Sequence, residues 1–454
     1  MVSTQEFNAW LILWLVGLAL VLWGQRKGEG TGLVVAYALQ LWVIHWLAPS
    51  IYALPWYMPP SPVLLDGLKE STYAILGLGI GATVLAPTLR ARLSLPAADT
   101  NGPAIADSWL VHAYLWLGIA AYIVQPMARA IPTVGALTSV TSNLLLVAFA
   151  LECWNGLNRP KHSIWRWIAM SAALPFITVV TQGFLSYGFA AMLIVFAFVA
   201  SIYRPRWRVA AIGCAVSFLA LSVYVTYMRD RPIIRAAVWG QESYSVRLNQ
   251  MVDTFSDFEF LNLANVDHLM RIDDRLNQTA LVGAAVDYLR VRPEEFARGE
   301  TIGQALMSPI PRALWPDKPI SAGSGDLVSR FTGMRFAEGT SVGIGHVLEW
   351  YVNFGSLGVL FGSILFGAIL TVIDAYCVAH LRAGHFSTFA LWYLPSLSLL
   401  QVGGSLVEAV SGAGAGLVIG LLIHRYRPAH LRGPDHVRGT QRPPDELAAS
   451  RSYR

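Results

Sequence analysis

The sequence predicts an all-α polytopic membrane protein, with about eleven transmembrane helices and one long extracytoplasmic loop that carries short and amphipathic helices. Three observations lead to this fold class. First, 55% of the 454 residues are hydrophobic and only 13% are charged, against about 25% charged in an average soluble protein. Second, the apolar residues form runs of membrane-spanning length. Third, one segment late in the chain lacks such runs and holds many of the charges.

A helix needs about 20 apolar residues to cross the hydrocarbon core of a bilayer. Eleven runs approach or exceed this length, and those at 164–181 and 386–402 are the least well defined. The runs lie at residues 8–23, 32–55, 68–87, 108–127, 131–151, 164–181, 184–202, 208–228, 350–378, 386–402 and 405–424. Because Gly24-Gln25-Arg26-Lys27 follows the first run in place of a small-residue cleavage site, we expect that run to be retained as a helix.

The runs divide the chain into four parts. We expect an N-terminal transmembrane bundle of about eight spans (1–228), an extracytoplasmic loop (229–345), a C-terminal transmembrane bundle of about three spans (346–424) and a basic cytoplasmic tail (425–454). The tail is rich in Arg, Pro and Gly, so we expect it to be disordered, with membrane lipid as a partner for its charges.

Basic residues in the short loops indicate the orientation. Eleven lie in alternate loops, and the opposite set holds only Lys69 and Arg129. Because cytoplasmic loops are enriched in Lys and Arg, we expect the N-terminus outside and the C-terminus in the cytoplasm. The net charge of +5 follows from these loops and does not indicate a nucleic-acid partner. The low charged fraction also excludes an ordinary cytosolic enzyme.

Loops as long as residues 229–345 are usually functional. This one holds 13 of the 33 basic residues and 15 of the 28 acidic residues, and an amphipathic helix is expected within it at 279–291, on the outer interface. Nearly all of its bases are Arg, whose planar fork matches phosphate oxygens two at a time. A lipid-linked phosphate or pyrophosphate is one expected ligand, and ion pairing with the loop's own acids is the alternative. The candidate phosphate ligands are Arg231, Arg235, Arg247, Arg312, Lys318 and Arg330.

A proline-rich element, PIPRALWPDKP at residues 309–319, is the most distinctive part of this loop. Its four prolines prevent helix and sheet and hold the backbone extended. Trp315 offers a flat face on which a sugar ring can stack, or it anchors the loop at the membrane interface. Asp317 is a candidate base.

His346, Glu349 and Asn353 are spaced so that a helix places them on one face, at the mouth of the next span. Ionisable groups there are costly unless they are paired or line a wet cavity. His346 or Glu349 is therefore a candidate base and Asn353 a candidate sugar ligand, with capping or snorkelling at the interface as the alternative. Other polar residues lie at the outer ends of spans, and His45 lies in the outer half of the second. Together they predict a polar cavity open to the outside.

Metal and nucleotide motifs are missing from the sequence. It contains no HExxH, no paired CxxC and no Walker-type loop, so we expect neither a metal nor any other cofactor. The three cysteines lie in or beside apolar runs, which leaves none for a disulfide in the outer loop.

These features resemble the Wzy-type O-antigen and exopolysaccharide repeat-unit polymerases of bacteria. The resemblance is carried by the number of spans, the late outer loop, the PIPRALWPDKP element and the sequence EWYVNFGSLG at 349–358, and it is sharpest over residues 290–365. It implies an inner-membrane glycosyltransferase with a periplasmic N-terminus. Its implied substrates are oligosaccharides linked to undecaprenyl pyrophosphate, and its implied protein partners are a chain-length regulator (co-polymerase) and a flippase.

The implied reaction transfers a growing glycan from undecaprenyl pyrophosphate onto a lipid-linked repeat unit at the outer face of the membrane. Arginines would neutralise the departing phosphate, and a carboxylate or His would take the acceptor proton. An O-antigen ligase would use the same donor. A transporter or flippase would also need polar residues in the inner halves of the spans, where Asp374 is the main one. A non-catalytic assembly subunit is the remaining alternative.

Overall fold

The fold is all-helical in the part of the chain that the computed structural model describes, which is residues 2–25, 30–93, 95–96, 104–128, 132–158, 164–203, 206–310, 315, 324–336 and 342–426. Two π-helical segments, Val43–Leu47 and Gly81–Leu85, join α2 to α3 and α4 to α5. The α-helices are α1 (Thr4–Gly24), α2 (Leu33–Trp42), α3 (Ala48–Ile51), α4 (Pro62–Ile80), α5 (Ala86–Arg90), α6 (Ser108–Ala128), α7 (Pro132–Ser142), α8 (Leu144–Asn158), α9 (Ile164–Ala172), α10 (Leu174–Gln182), α11 (Leu185–Ile202), α12 (Arg206–Trp239), α13 (Tyr244–Ser256), α14 (Val266–Leu276), α15 (Gln278–Val291), α16 (Glu300–Met307), α17 (Ser324–Thr332), α18 (His346–Arg382), α19 (Phe386–Leu399) and α20 (Leu406–Arg425).

Nine helical segments within these residues are long and apolar enough to span a membrane, so the protein is a multi-pass helical membrane protein. Two of the eleven expected runs do not meet this standard. The run at 164–181 forms α9 and α10, which separate at Ala173, and the run at 386–402 forms only the 14-residue α19. The nine segments are Thr4–Gly24, Leu33–Ile51, Pro62–Arg90, Ser108–Ala128, Val134–Asn158, Leu185–Ile202, Ala211–Trp239, His346–Arg382 and Leu406–Arg425.

α12 extends beyond the apolar run that predicted it. It continues through Pro232 to Trp239, so the domain boundary expected after residue 228 lies inside a helix. Between α12 and α18 the described chain forms α13 to α17 and a short 3-10 turn. The stretch expected as an outer loop is thus built mainly from short helices.

α4 packs against α1, α15 and α18. Its approach to α18 requires glycine, because a Cβ atom on Gly77 would lie 2.7 Å from the carbonyl oxygen of Leu360. One turn later, a Cβ atom on Gly81 would overlap the carbonyl oxygen of Ile364. Small residues four apart let two membrane helices pack backbone against backbone. This contact fixes the position of α18 along the axis of α4.

α15 is the amphipathic helix expected at 279–291, but it packs against the first two turns of α4 and does not lie on the surface. A Cβ atom on Gly67 of α4 would overlap the carbonyl oxygen of Thr279, and one on Gly283 of α15 would overlap that of Val63. The start of α15 is therefore deeper in the bundle than the start of α4. Thr279 is fully buried there.

α18 reverses direction near its start. Phe354 and Gly355 have non-helical backbone angles, with φ at +63° for Gly355, a region that favours glycine. The rings of His346 and Phe366 have centroids only 5.4 Å apart, whereas a continuous helix would separate these residues by about 30 Å. Residues 346–353 therefore form a short arm that folds back against the long arm, residues 356–382. The start of the short arm is buried in the bundle.

Two carboxylates within the spans are held at the starts of helices. Asp374 of the long arm accepts hydrogen bonds from the backbone N–H and the hydroxyl of Thr31, at 2.5 and 2.6 Å, just before α2. Glu70 of α4 accepts one from the Ser356 hydroxyl at 2.5 Å, where the long arm begins. Helix N-termini carry partial positive charge, so these acids are stabilised without a buried cation.

Gly283→Ala should destabilise the protein by about 1–3 kcal/mol, because the new methyl group meets the Val63 backbone, which cannot give way locally. Alanine is otherwise preferred over glycine in helices by about 1 kcal/mol. The matched control is Gly303→Ala in α16, where nothing lies within 4 Å of the added atom. Thermal unfolding in one detergent should rank Gly283→Ala below wild type and Gly303→Ala at or above it. Equal melting temperatures for the two variants would refute the close α4–α15 contact.

Candidate functional site

An arginine cluster, defined as Arg231, Arg235 and Arg275 with Tyr224, lies between α12 and α14. Arg231 is within electrostatic range of both other arginines, and Tyr224 is within range of Arg231 and Arg275. Arg231 and Arg275 form no ion pair with any described residue, and the buried Tyr224 hydroxyl has no hydrogen-bond partner among those residues either. Unpaired guanidinium groups beside a hydroxyl donor suit an anion with several oxygen atoms, such as a phosphate.

Arg235 is held by two aromatic rings and a turn. Its guanidinium lies 4.4 Å from the ring centroid of Phe184 and 5.0 Å from that of Trp239, which is a cation–π arrangement. The carbonyl oxygen of Gly183 accepts from Arg235 Nε at 3.3 Å and from the Tyr227 hydroxyl at 2.8 Å. These contacts fix α12 to the turn between α10 and α11.

Glu259 ties together the two helices that carry the cluster. Its carboxylate accepts from Arg229 of α12 and from Arg271 of α14, each at 2.8 Å, and lies 3.2 Å from Nε2 of His268. Burial alone would raise the pKa of Glu259, but the hydrogen bonds from the two arginines outweigh it and leave that pKa below its ordinary value. Arg229 and Arg271 are thus engaged in structure, and the cluster arginines on the same helices are fixed in position.

Asp273 anchors α14 to the chain that follows α3. It accepts hydrogen bonds from the hydroxyls of Tyr52 and Tyr57, at 2.6 and 3.0 Å, and from Asn277 Nδ2 at 2.6 Å. Burial and the Asp273 carboxylate both raise the pKa of the two tyrosines, which keeps them protonated as donors. Arg275, two residues further on, therefore has a rigid backbone.

Other predicted phosphate ligands are placed differently. Arg330 of α17 pairs with both carboxylate oxygens of Glu300, at 3.0 and 2.9 Å, which is the ion-pairing alternative, and its role as a phosphate ligand stays a prediction. This pair holds the pKa of Glu300 below its ordinary value. Arg247 donates from Nε to the carbonyl oxygen of Glu242 at 2.8 Å and lies over the ring of Tyr244, and it forms no ion pair with the described acids.

The proline-rich element is described only at its first two residues and at Trp315, which is partly buried. A Cβ atom on Gly414 would lie 2.7 Å from the Pro309 side chain, so this element begins against α20. The predicted roles of the remaining candidates stay predictions, because these residues lie outside the described chain: Arg312, Asp317 and Lys318.

The short arm of α18 places His346, Glu349 and Asn353 in the interior, with exposed fractions of 0%, 0% and 2%. Asn353 uses its whole amide within the protein. Its Oδ1 accepts from the backbone of Gly299 at 2.9 Å, and its Nδ2 donates to the Thr301 hydroxyl at 2.8 Å and to the Glu349 carbonyl at 2.7 Å. Asn353 therefore holds the start of α16 on the short arm and keeps no free group for the sugar that we expected it to bind.

Glu349 closes the start of α20. Its Oε2 accepts from the backbone N–H of Leu406 at 2.6 Å, next to the capping box formed by Ser405 and Glu408. Its Oε1 is buried and has no well-oriented hydrogen bond, although the Thr301 hydroxyl is near enough to interact electrostatically. A carboxylate at a helix N-terminus is stabilised by the helix dipole. This contact accounts for the burial of Glu349, and its role as the base stays a prediction.

His346 forms a second buried contact. Its Nδ1 lies 3.0 Å from the Tyr37 hydroxyl, and the Phe366 ring packs against both side chains. Its backbone N–H donates to the carbonyl of Val402 at 3.0 Å. The short arm of α18, the start of α20 and the middle of α2 thus meet inside the bundle.

Residues 103–386 match a family model described as a domain of unknown function, DUF8712, and this match covers more than half of the chain. The chain belongs to the DUF8712 family. No curated protein and no solved structure matches it. The DUF8712 region contains the whole arginine cluster, the helices α13 to α17 and all of α18, while Tyr37 and His45 precede it.

Sequence reasoning missed two residues of the cluster in this DUF8712 protein. Arg275 follows two aspartates, so it appeared to be part of a surface ion pair; only the fold shows that Asp273 is bound by tyrosines. Tyr224 lies in an apolar run, and its spacing from Arg231 is the one signal that places both on one face of α12. Within the described residues, no three His, Cys, Asp or Glu side chains are positioned to hold a metal ion.

Glu259→Gln should lower the stability of this DUF8712 protein by about 1–2 kcal/mol at pH 7, because Arg229 of α12 and Arg271 of α14 lose their charged partner. Since the pKa of Glu259 is depressed in the folded state, its contribution is present above the unfolded pKa of about 4.3 and is lost as pH falls through the folded pKa.

Glu294→Gln serves as the control, because Glu294 is exposed and has no hydrogen bond or ion pair with the described residues. Thermal unfolding at pH 7 should separate Glu259→Gln from wild type, and the gap should close below about pH 4. A gap that persists or grows in acid would contradict this role.

Proposed function

We propose that this chain is a metal-independent glycosyltransferase, a polysaccharide polymerase that transfers a growing glycan from undecaprenyl pyrophosphate onto a lipid-linked repeat unit. The observation that carries this proposal is the arginine cluster. Arg231 and Arg275 have no acidic partner among the described residues, and they lie beside a membrane helix with an unpartnered Tyr224 hydroxyl. A membrane-embedded protein with such a group is suited to a lipid that carries phosphate.

The proposed transfer requires the protein mainly to position the two substrates and to supply positive charge. Pyrophosphate is already a good leaving group, so the main needs are to orient the acceptor hydroxyl, remove its proton and neutralise charge on the departing oxygen. The arginine cluster supplies the last of these. In this proposal Trp315 stacks on a sugar ring, and Arg312 and Lys318 contribute to the charge, as the resemblance to Wzy-type polymerases implies.

The proposal places the site at the outer face of a bacterial inner membrane. It requires eleven crossings, so the α9–α10 pair and α19 must cross in addition to the nine long segments. The alternation of basic loops supports this count, with a periplasmic N-terminus and a cytoplasmic C-terminus. The end of α12 and the starts of α15 and α20 then lie on the outer side, and α13 to α17 belong to the extracytoplasmic segment. A chain-length regulator and a flippase are the proposed partners.

Two alternatives use the same residues differently. An O-antigen ligase would employ the same donor and the same arginine cluster, so only the product separates it from a polymerase. A flippase would need polar groups in the inner halves of the spans. Asp374, the main candidate there, is engaged in capping α2, which gives the flippase less support.

Arg231→Gln combined with Arg275→Gln should abolish polymer in a strain whose own copy is deleted, and should weaken binding of undecaprenyl pyrophosphate to the purified protein in nanodiscs at least tenfold. A charge-assisted hydrogen bond contributes about 1.5–3 kcal/mol, which corresponds to about a tenfold loss or more for each arginine. The control is Arg335→Gln, an exposed arginine of the same segment outside the cluster. Full-length polymer from the double variant, at normal protein levels, would refute the assignment.

Glu349→Gln should retain polymer formation within a few-fold, because the Gln carbonyl can still accept the Leu406 N–H. Glu349→Ala should lower the melting temperature, since it leaves that buried N–H without a partner at a cost of about 1–3 kcal/mol. The measurements are polymer length on gels and unfolding of the purified variants. If Glu349→Gln is stable but loses polymer by 100-fold or more, Glu349 is the base and its structural role is secondary.

A further inference from the structure

Two histidines meet at the turn between α18 and α19. His380 belongs to the last turn of α18, and His385 immediately precedes α19. The backbone N–H of His385 donates to the carbonyl oxygen of His380 at 2.9 Å, and that of Gly384 donates to the carbonyl oxygen of Leu381 at 3.3 Å. Gly384 has a φ of +73°. These two hydrogen bonds and the left-handed glycine form a Schellman motif, which ends a helix at a defined residue.

The Schellman motif brings the two histidine side chains together. The residues joined by its longer hydrogen bond frequently make an apolar contact, but here they are His380 and His385. The centroids of their rings are 5.5 Å apart, with 43° between the ring planes. Two imidazoles that share one tetrahedral ion, with metal–nitrogen bonds of about 2.1 Å, have centroids about 5 Å apart. The spacing of the pair therefore suits two ligands of one metal ion.

The ring of His380 is buried without a hydrogen bond. It is 9% exposed, and neither Nδ1 nor Nε2 has a partner among the described residues. A histidine near a helix C-terminus can bond to the last carbonyl oxygens, but His380 does not. Buried polar atoms without a partner are costly, and native proteins leave few of them. The two nitrogens therefore point to a ligand from outside the chain, and neutral imidazole is the commonest metal ligand in proteins.

Neighbouring aromatic rings hold His380, whereas His385 is open to solvent. The ring centroid of Tyr376 lies 4.4 Å from that of His380, and Trp392 of α19 packs on Tyr376 at 5.4 Å. His385 is exposed, and the last torsion of a histidine side chain has broad preferences, so its ring can turn towards His380. Arg382 is exposed as well. Because arginine is costly inside the hydrocarbon, the turn lies at a membrane surface, where an ion from water can reach His385.

We propose that His380 and His385 together bind one divalent transition-metal ion, such as Zn²⁺ or Cu²⁺. Imidazole nitrogen suits these ions, whereas Mg²⁺ and Ca²⁺ prefer oxygen ligands. Within the described residues, no third His, Cys, Asp or Glu side chain is positioned to join the pair. Water therefore completes the coordination shell. The bound ion links the end of α18 to the start of α19.

This metal site is independent of the proposed function. The histidine pair lies at the far end of the long arm of α18, about 36 Å along the helix from Ser356, where that arm begins. Glu349, a candidate base, belongs to the short arm at the opposite end. The ion therefore has no part in the proposed glycosyl transfer, which stays metal-independent.

His385→Asn tests the proposal in the full-length protein, purified without a polyhistidine tag and titrated with Zn²⁺ alone. Because the Schellman hydrogen bonds are made by the backbone, the variant should keep the wild-type melting temperature in the absence of metal. Its affinity for Zn²⁺ should fall about tenfold or more, since even the loss of an indirect partner of a metal ligand costs about 10–100-fold. Zn²⁺ should raise the melting temperature of wild type and leave that of the variant unchanged.

His380→Asn removes the other ligand and should lower the affinity for Zn²⁺ by a similar factor. The matched control is His112→Asn, which removes an exposed histidine of α6 that contacts only its own helix among the described residues. This variant should bind Zn²⁺ as wild type does. A separate titration with Cu²⁺ should give an electron paramagnetic resonance spectrum with coupling to two imidazole nitrogens in wild type, and this signal should be lost in His385→Asn.

Equal Zn²⁺ affinity in wild type and His385→Asn would overturn the proposal, because the pair would then be bonded to water and hold no metal. An equally large loss in His112→Asn would also overturn it, since the binding would then come from exposed histidines in general.

Discussion

The carboxylate of Glu349 lies inside the bundle against the first backbone N–H of α20, and the surrounding polar segments are arranged around that contact. Removing a carboxylate from water costs several kcal/mol unless hydrogen bonds and opposite charge compensate. Here the compensation comes from the N–H and dipole of a helix start. α20 must therefore begin deep in the bundle, level with the short arm of α18, whose own first N–H is bonded to Val402.

Asp374 and Glu70 are also stabilised by hydrogen bonds at helix starts. Asp374 faces the start of α2, and Glu70 faces the start of the long arm of α18. Because helix starts neutralise these interior acids, the interior needs no arginine to match them. Several arginines lie instead on α12, α14 and α17, where Glu259 engages Arg229 and Arg271, and Glu300 engages Arg330. Arg231 and Arg275 remain without such partners in the described chain, which is why we propose the cluster they form as a binding site.

Most of the fold class follows from local sequence, because hydropathy and length depend on residues that are adjacent in the chain. The two weakest apolar runs are also the ones that form shorter helices, since Pro175 interrupts one and Pro395 lies within the other. The candidate site was harder to predict. Whether an arginine is free or paired depends on residues far away in sequence, as with Arg330 and Glu300. The spacing of residues along one segment contains no information about such pairs.

The reversal of α18 could not be predicted from the sequence either, because the apolar run continues through Gly355 without interruption. A Gly with positive φ is required at that point, but glycine is common in membrane helices, so its presence alone gives no warning.

The folded-back arm has a consequence for how the chain is made. Residues 346–353 are far too short to cross a bilayer, so they cannot enter the membrane as an independent span during synthesis. Glu349 acquires its partner only when α20, the last of the described helices, has been inserted and supplies the Leu406 N–H. The interior around the short arm is therefore completed only after α20 has been synthesised. A chain whose synthesis stops before α20 carries every arginine of the cluster. It lacks the Leu406 N–H that compensates for the burial of Glu349.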